Sequence, residues 1–356
     1  MDTEVMMQSA VPSPPARLVK LEDIDARLEG VIAIHSATLG PAAGGCRLWG
    51  YPDLQSATDD AVRLAAGMTY KNALAGLPFG GGKAVIRLPD EPFDREALFA
   101  AYGRAVESLG GEYVTAEDVG TSVNDMAAVQ RETSFVAGLA AQSGRPGGDP
   151  SPHTARGVFE AMAVAVEHRL EKELSEVTVA VQGLGHVGFD LCERLHRAGA
   201  KLVVCEPRAD VAAKAAARFG ADVRSVRSIY DAKVDVFAPC ALGGSLNSST
   251  VKKLQAKVVC GAANNQLAEP STGQALAERG VLYAPDYLVN AGGIVNVAGE
   301  YLGWSSQDVE ARVDAIAHRF KALLAKVGET GERPECVADQ MALDVLSAAA
   351  NRDKAA

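Results

Sequence analysis

Two lysines and an aspartate in the first half of the chain could transfer protons beside a bound anion. Lys71 lies in GMTYKNA, Lys83 follows the triple glycine at residues 80–82, and Asp118 ends the run EYVTAED. When two lysines are buried beside a carboxylate, one ammonium can hold an anionic substrate group. The other is pushed towards neutrality and acts as a base near pH 7. Spacing alone equally allows two solvent-exposed lysines, one at a helix end and one on a loop.

The triple glycine at residues 80–82 has no expected role inside a helix or a strand. Glycine is used where the missing Cβ lets a ligand or another backbone segment approach closely. The sequence therefore predicts a close approach immediately before Lys83, outside the regular elements.

A second glycine motif, in the other half of the chain, is typical of a dinucleotide-binding turn. Gly183-x-Gly185-x-x-Gly188 directly follows the apolar run 177–182 and opens a helix. The glycines let the backbone approach a pyrophosphate, to which the helix N-terminus offers unpaired N–H groups. The next apolar run ends at Glu206, where a carboxylate would accept hydrogen bonds from the adenosine ribose. The alternative is an ordinary strand–turn–helix corner.

Glu206 favours NAD over NADP, because a carboxylate repels a phosphate on the ribose 2′ oxygen. Arg208, two residues further on, could reach such a phosphate and keeps the NADP alternative open.

The composition excludes several classes of protein. The 356 residues carry a net charge of -10, which argues against nucleic-acid binding, and no apolar stretch approaches the ~20 residues that cross a membrane. Six scattered cysteines without a CxxC pair predict a reduced, cytoplasmic chain. The six histidines show no metal-ligand spacing, so no metal site is predicted.

The elements around these residues predict an α/β protein of two domains. The first half alternates strands and helices, and the segment SGRPGGDPSP, residues 143–152, is a predicted hinge. Beyond it, short Val-rich runs separated by helices predict strands buried on both faces of a doubly wound parallel sheet, a Rossmann-type domain. The predicted strands are 30–37, 83–88, 112–119, 177–185, 201–206, 234–240, 257–262 and 281–286; the predicted helices are 54–70, 95–109, 124–131, 307–327 and 337–349.

We predict three regions from this pattern. Residues 1–16 form a disordered lead-in, rich in proline. Residues 17–145, with the C-terminal helix at about 330–356, form the substrate-binding and catalytic domain. Residues 146–329 form the NAD-binding domain.

Six motifs follow one another in order along the chain. They are GPAAGGCR (40–47), GMTYKNALAGLPFGGGK (67–83), TAEDVGT (115–121), APCALGG (238–244), GAANNQLA (261–268) and APDYLVNAGG (284–293). Together they resemble the NAD-dependent amino-acid dehydrogenases that act on glutamate, leucine, phenylalanine or valine, and most closely the leucine/phenylalanine/valine branch.

The resemblance implies a role for each of the three residues. Lys71 matches the lysine that binds the substrate carboxylate, and Lys83 matches the base that activates water against an imine. Asp118 matches the aspartate that exchanges protons with the amino nitrogen. A hydride passes from the substrate Cα to the nicotinamide, and water converts the imine to a 2-oxo acid and ammonia.

The resemblance also implies the remaining site residues. For four of them an ordinary structural role is the alternative to a role in the site. These are the turn or loop residues Asn264, Asn290 and Thr154, and Met68 as part of a helix core. His153 stands where relatives are apolar and is predicted to be a partly exposed loop residue without a catalytic role. The implied substrate contacts are Ala43, Gly44, Met68, Ala116, Asn264, Ile294 and Val297; the implied cofactor contacts are Thr154, Gly183, Gly185, His186, Val187, Gly188, Glu206, Ala241, Asn264 and Asn290.

The substrate pocket is predicted to be apolar. Ala43 and Val297 match positions where the glutamate enzymes carry a lysine and a serine, so a glutamate side chain would be buried without a partner. Branched-chain substrates, leucine above all, are favoured. Phenylalanine stays open, because one or two methylenes change specificity by only ~1–3 kcal/mol. A catalytically inactive NAD-binding sensor is the alternative of another class, and a homo-oligomer, a dimer or larger, is expected.

Overall fold

The computed structural model describes residues 15–140 and 144–355 and divides into two compact units. The first comprises Met1–Ala73 and Pro78–Leu139, and the second comprises Leu74–Leu77 and Ala140–Ala356. Each contains a sheet with helices, which confirms the two-domain α/β prediction. The predicted disordered lead-in falls mostly on residues 1–14, which lie outside the described residues.

The first unit is built on a five-stranded mixed sheet in the order β1-β2-β4-β3-β5. β1 and β4 run antiparallel to β2, whereas β3 is parallel to both β4 and β5. Neither β1 nor β3 was predicted from the sequence. The elements are β1 (Arg17–Asp23), β2 (Leu28–Ser36), β3 (Ala42–Trp49), α1 (Leu54–Ala75), β4 (Gly80–Arg87), α2 (Arg95–Glu107), β5 (Tyr113–Glu117) and α3 (Val123–Gln130).

Both faces of this sheet are buried, each by a different set of apolar side chains. On one face Ala33 and Val85 pack against the small residues Ala57, Ala61 and Ala65 of α1. The other face packs against α2 and α3 through a larger core with many aromatic and branched residues. Because α1 presents alanines, its backbone lies close to β4. The larger core includes Ile32, Ile86, Leu98, Phe99, Tyr102, Tyr113, Met126 and Val129.

The triple glycine is part of this close packing. The prediction that residues 80–82 lie outside a strand was wrong, because they open β4. The predicted close approach is confirmed. A Cβ on Gly81 would lie 2.1 Å from Thr69 Oγ1 and 2.2 Å from the Thr69 backbone nitrogen, and one on Gly82 would lie 2.8 Å from the Tyr113 ring. Glycine therefore lets α1 and the aromatic core approach β4 from opposite sides.

Gly81→Ala is expected to lower the free energy of unfolding by about 1–3 kcal/mol, because the added methyl group meets the backbone of α1. Urea denaturation measures the change. Gly67→Ala is the matched control, since a Cβ at Gly67 would meet no atom within 4 Å. In a helix interior that substitution should stabilise by roughly 0.5–1 kcal/mol. Equal stability changes for the two variants would contradict the packing argument.

The second unit is built on a six-stranded, wholly parallel sheet in the order β11-β10-β9-β6-β7-β8. The predicted doubly wound parallel sheet is confirmed. A short 3-10 turn, Leu174–Glu176, precedes β6. The elements are α4 (Ser151–Leu170), β6 (Thr178–Gln182), α5 (His186–Arg197), β7 (Lys201–Cys205), α6 (Ala209–Phe219), β8 (Asp222–Val223), β9 (Val236–Pro239), β10 (Val258–Val259), α7 (Pro270–Glu278), β11 (Leu282–Tyr283), α8 (Asp286–Val289), α9 (Gly292–Leu302), α10 (Ser306–Thr330) and α11 (Pro334–Ala355).

The strand order places a topological switch point between β6 and β9. From β6 the chain continues to β7 on one side, and it later returns to β9 on the other side. In open α/β sheets the carboxyl ends of the strands at such a point form the ligand-binding crevice. The predicted glycine motif begins at the carboxyl end of β6, at this point.

The last two helices pack within the second unit. A capping box formed by Ser305 and Asp308 begins α10, and Gly331, whose φ of 70° suits glycine, caps its C-terminus after Thr330. α11 packs against α10 and β11. The structure thus groups the C-terminal helix with the second unit, whereas the sequence analysis placed it with the substrate-binding domain. No helix within residues 15–140 and 144–355 is long and apolar enough to cross a membrane.

Candidate active site

A buried ion pair joins the two predicted catalytic residues. Lys83 lies on β4, on the face covered by α1, and is only 5% exposed. Its Nζ lies 2.8 Å from Oδ2 of Asp118, which directly follows β5. Buried charges of this kind must be paired, because leaving either one alone away from water is costly. The structure therefore brings the predicted base and the predicted proton-exchanging carboxylate into direct contact.

Arg47, at the far end of β3, extends this pair. Its Nε donates to Oδ2 of Asp118 at 3.2 Å, and a terminal nitrogen donates to Oδ2 of Asp60 on α1 at 2.9 Å. Tyr51 also donates to Asp60. Asp60 is half-buried within this network. Sequence reasoning singled out neither Asp60 nor Arg47, although Arg47 ends the quoted motif GPAAGGCR.

These cations control the charge of Asp118. Burial raises the pKa of its carboxyl, but the opposite charges and hydrogen bonds of Lys83 and Arg47 outweigh burial, and the pKa lies below its ordinary value. Asp118 is therefore ionised at neutral pH and can accept a proton from a substrate.

Two glycines of β3 let the neighbouring strands approach this pair. A Cβ on Gly45 would lie 2.8 Å from the Asp118 Cβ, and one on Gly44 would lie 1.8 Å from the carbonyl oxygen of Gly82. The Gly44 carbonyl accepts a hydrogen bond from the Tyr113 hydroxyl. Ala43 and Ala116, which are predicted to contact the substrate, are both buried beside these glycines.

Lys71 lies near the end of α1 and is half-buried. Met68 lies about one helical turn before Lys71, and the Met68 Cγ lies 3.3 Å from the position of a Cβ on Gly44. Asn72, the residue after Lys71, is fully buried. Its amide nitrogen donates to the carbonyl oxygens of Gly80 and Ala43 at 2.6 and 3.4 Å. These bonds fix the part of α1 that carries Lys71 over the first residues of β4. Sequence reasoning missed Asn72.

The glycine motif of the second unit forms a cradle at the carboxyl end of β6. Gly183 has a φ of +93°, and a Cβ there would lie 2.9 Å from the backbone nitrogen of Ala241, which follows β9. A Cβ on Gly188 would lie 2.0 Å from the Gly183 carbonyl oxygen, so α5 packs tightly on β6. Around Gly185, which caps α5, the position of a Cβ is open. The cradle fits a dinucleotide pyrophosphate at the N-terminus of α5.

Glu206, after β7, lies beside this cradle. Its Oε2 accepts the backbone N–H of Leu184 at 2.8 Å, and its Oε1 accepts the guanidinium Nε of Arg208 at 2.8 Å. The bond from Arg208, which outweighs the opposing effect of burial, lowers the pKa of Glu206 to about 2. Arg208 itself is largely exposed. The carboxylate predicted to bind the ribose thus lies beside the glycine cradle and is hydrogen-bonded by Arg208.

Two asparagines and an alanine follow neighbouring strands of this sheet. Asn290 is buried and its amide donates to Asn264 Oδ1 at 2.8 Å and to the Ala262 carbonyl oxygen at 3.0 Å. Asn290 therefore orients Asn264. Ala241 is exposed next to Gly183.

The start of α4 carries Thr154, whose Oγ1 donates to the Pro150 carbonyl and lies 2.6 Å from the position of a Cβ on Gly293. His153 is half-buried in the first turn of α4, so its predicted place on a loop was wrong. His186 opens α5 just before Val187, with its ring exposed and Nδ1 3.2 Å from an Asp149 oxygen.

Ile294 and Val297 lie one turn apart on α9. Both are half-buried and share a face of that helix. The two positions predicted to line the substrate pocket are therefore neighbours. Within the part of the chain that the structure describes, no group of three or more His, Cys, Asp or Glu side chains could hold a metal ion.

Two family profiles match this sequence. The profile described as "Glu/Leu/Phe/Val dehydrogenase, dimerisation domain" matches residues 18–135, and the profile described as "Glutamate/Leucine/Phenylalanine/Valine dehydrogenase" matches residues 206–353. The chain belongs to the Glu/Leu/Phe/Val dehydrogenase family. The resemblance stated from the six motifs is confirmed.

Curated and solved members of the Glu/Leu/Phe/Val dehydrogenase family are similar to this chain over nearly its full length. A leucine dehydrogenase of Thermoactinomyces intermedius is 44% identical over 92% of this chain and 89% of its own. A valine dehydrogenase of Streptomyces albus is 46% identical over 92% of this chain and 90% of its own. The crystal structure of L-tryptophan dehydrogenase from Nostoc punctiforme has a TM-score of 0.80 at 38% identity and covers 94% of this chain and 97% of its own.

Membership of the Glu/Leu/Phe/Val dehydrogenase family makes the protein an amino-acid dehydrogenase, an oxidoreductase with an amino acid as substrate and a nicotinamide dinucleotide as cofactor. The profile over residues 18–135, which includes Lys71, Lys83 and Asp118, is described as a dimerisation domain.

Proposed function

We propose that this protein catalyses the reversible, NAD-dependent oxidative deamination of an apolar L-amino acid, with leucine or another branched-chain amino acid preferred. The products are the 2-oxo acid, ammonia and NADH. The observation that supports this most is the buried contact between Lys83 and Asp118, at 2.8 Å, on the α1-covered face of the first sheet. It unites a proton donor and a proton acceptor in the unit that carries Lys71.

In this proposal the first unit binds and activates the amino acid. The ammonium of Lys71 binds the substrate carboxylate, on a helix that Asn72 anchors to β3 and β4. Asp118, held ionised by its cationic neighbours, accepts a proton from the substrate amino group.

Lys83 acts on water in the same proposal. As the proposed general base, Lys83 takes a proton from water, which attacks the imine carbon. Because Lys83 and Asp118 are in hydrogen-bond contact, protons can pass between them in either direction of the reaction.

The second unit supplies the cofactor site. When bound there, NAD would supply the acceptor for the hydride that leaves the substrate Cα. Gly183, Gly185 and Gly188 would hold the pyrophosphate, and Glu206 the adenosine ribose. Asn264, Asn290 and Thr154 would lie on the nicotinamide side, with Ala241, His186 and Val187 along the cradle. NAD is preferred to NADP, because the ionised Glu206 repels a 2′-phosphate.

The substrate preference rests on apolar residues at the pocket positions. Ala43 and Ala116 are buried in the first unit, and Ile294 and Val297 share a face of α9 in the second. None of them can pair with a carboxylate. Leucine and valine dehydrogenases at 44% and 46% identity support a branched-chain aliphatic substrate.

Measuring kcat/KM for a panel of amino acids tests this preference. We expect kcat/KM, from NADH absorbance at alkaline pH, to be highest for Leu, Ile or Val. We expect it to be at least ~100-fold lower for Glu, because an unpaired buried carboxylate costs several kcal/mol. Glutamate as the best substrate would contradict the apolar pocket.

An aromatic amino acid is the second candidate substrate. The small side chain of Ala43 deepens the pocket, and the L-tryptophan dehydrogenase is 38% identical over nearly the whole chain. If kcat/KM is highest for Phe or Trp, an aromatic amino acid is the preferred substrate. If no apolar amino acid reduces NAD while the protein still binds NADH, the protein is an inactive sensor.

We also propose a cytoplasmic homo-oligomer. All six cysteines are free, and four of them are buried, as is typical of proteins in a reducing compartment. The profile over residues 18–135 supports association of two or more copies. Light scattering of the purified protein measures the number of copies.

A further inference from the structure

Arg47 reaches two carboxylates that lie far apart in the sequence. Its guanidinium Nε binds Asp118, 71 residues away, while a terminal nitrogen binds Asp60, 13 residues away. Asp60 also accepts the hydroxyl of Tyr51 and the guanidinium of Arg63. Arg47 is four-fifths buried, so its place between β3, β5 and α1 is fixed by these bonds.

The two oxygens of Asp118 have different surroundings. Oδ2 takes both cations, Lys83 at 2.8 Å and Arg47 at 3.2 Å. Oδ1 accepts no hydrogen bond from any described residue. The carboxylate is therefore anchored through one oxygen while the other remains available.

We propose that Arg47 is a positioning residue: by holding Oδ2 of Asp118, it directs Oδ1 towards the substrate nitrogen and keeps the carboxylate in its proton-accepting form. This inference rests on the proposed deamination. Asp60 and Tyr51 act through Arg47 by fixing its guanidinium. Arg47 touches no reacting atom.

Only an arginine can fill this position. Its planar fork presents Nε and a terminal nitrogen to two different carboxylates at once, whereas a lysine offers one point charge. A lysine at residue 47 would keep a positive charge near Asp118 but would leave Asp60 or Asp118 without its bond.

The charges around Asp118 determine the expected pH effect. Burial of the carboxyl opposes ionisation, and Lys83 and Arg47 favour it. The neighbouring thiol of Cys46 stays neutral, because burial raises its pKa. Removing Arg47 thus takes away one of the two cations that favour ionisation and raises the pKa of Asp118. The titratable or charged groups considered around Asp118 are Lys83 from β4, Arg47 and Cys46 from β3, Asp60 from α1 and the chain neighbour Glu117.

Arg47→Ala and Arg47→Lys test the proposal through the pH profile of kcat/KM. For Arg47→Ala we expect the acidic limb to move up by about one pH unit, since an opposite charge at this distance shifts a pKa by 1–3. We expect kcat to fall ~10- to 100-fold, because the proton acceptor is misplaced. In Arg47→Lys the acidic limb should return towards that of the wild type, while kcat stays at least ~10-fold low.

Arg63→Ala is the matched control. It removes the exposed arginine from the same Asp60 carboxylate, and we expect a wild-type profile. NADH binding and circular dichroism report folding of each variant. If Arg47→Ala does not fold, Arg47→Lys decides: wild-type kcat in that variant would overturn the proposal. An unshifted limb and unchanged kcat in folded Arg47→Ala would also overturn it. A wild-type protein without turnover would instead refute the proposed function.

Discussion

Lys83→Ala is expected to lower kcat for oxidative deamination by about 10²–10⁴-fold while leaving the affinity for NADH nearly unchanged. The substitution removes the group proposed to take the proton from water, and general acid–base catalysis contributes an effect of this size. The glycine cradle belongs to the other compact unit and is built without Lys83. Steady-state kinetics with leucine and a fluorescence titration with NADH separate the two effects.

Two further variants make this result specific. Lys20→Ala removes an exposed lysine that also pairs with a carboxylate, Glu22, and should leave kcat unchanged. Asp118→Asn combined with Lys83→Ala should lower kcat little beyond the single substitution, because residues that act as one unit are not additive. Near-normal kcat in Lys83→Ala would remove Lys83 from the chemistry.

Glu206→Ser is expected to raise the ratio of kcat/KM for NADP to that for NAD by about 100-fold. The substitution removes the ionised carboxylate that repels a 2′-phosphate, and juxtaposed like charges cost several kcal/mol. It also releases the guanidinium of Arg208, which is held on Glu206 Oε1 and would become free to bind the phosphate. The cation needed for NADP is therefore already present.

The double variant Glu206→Ser with Arg208→Ala isolates the contribution of Arg208. This variant should lose most of the gain in kcat/KM with NADP, while its kcat/KM with NAD should stay as low as in Glu206→Ser. Arg208→Ala alone should leave the preference for NAD in place, because the Leu184 N–H still orients Glu206. A cofactor ratio that does not respond to Glu206→Ser would place the ribose elsewhere.

The dinucleotide cradle is the part of the site that the sequence predicted best. The strand–turn–helix context that the motif predicted is present: Gly183 and Gly185 lie between β6 and α5, Gly188 lies in the first turn of α5, and Glu206 directly follows β7. A tight turn needs positive φ and no side chain, so its residues are specified within a few positions of each other. The bond between Arg208 and Glu206 joins near neighbours too, but the sequence did not show which acid the arginine would bind.

The network around Asp118 was predicted only in part. Its carboxylate and Lys83 were singled out by their residue types and by resemblance to a family. Arg47 and Asp60 were missed, because nothing local distinguishes them from solvent-exposed charges. Their contacts depend on β3 lying between β4 and β5, and β3 itself was not predicted from its glycine-rich sequence.

By itself, the sequence determined the types of the elements and the chemistry that the chain carries. Apolar periodicity, glycine turns and family motifs depend on residues close together in the chain, where backbone sterics and burial act directly. The tertiary structure alone decided that the triple glycine is a strand, that Asn72 anchors the helix bearing Lys71, and that Arg47 ties Asp118 to Asp60. These contacts join distant segments whose meeting is set by the order and spacing of strands in the folded sheet.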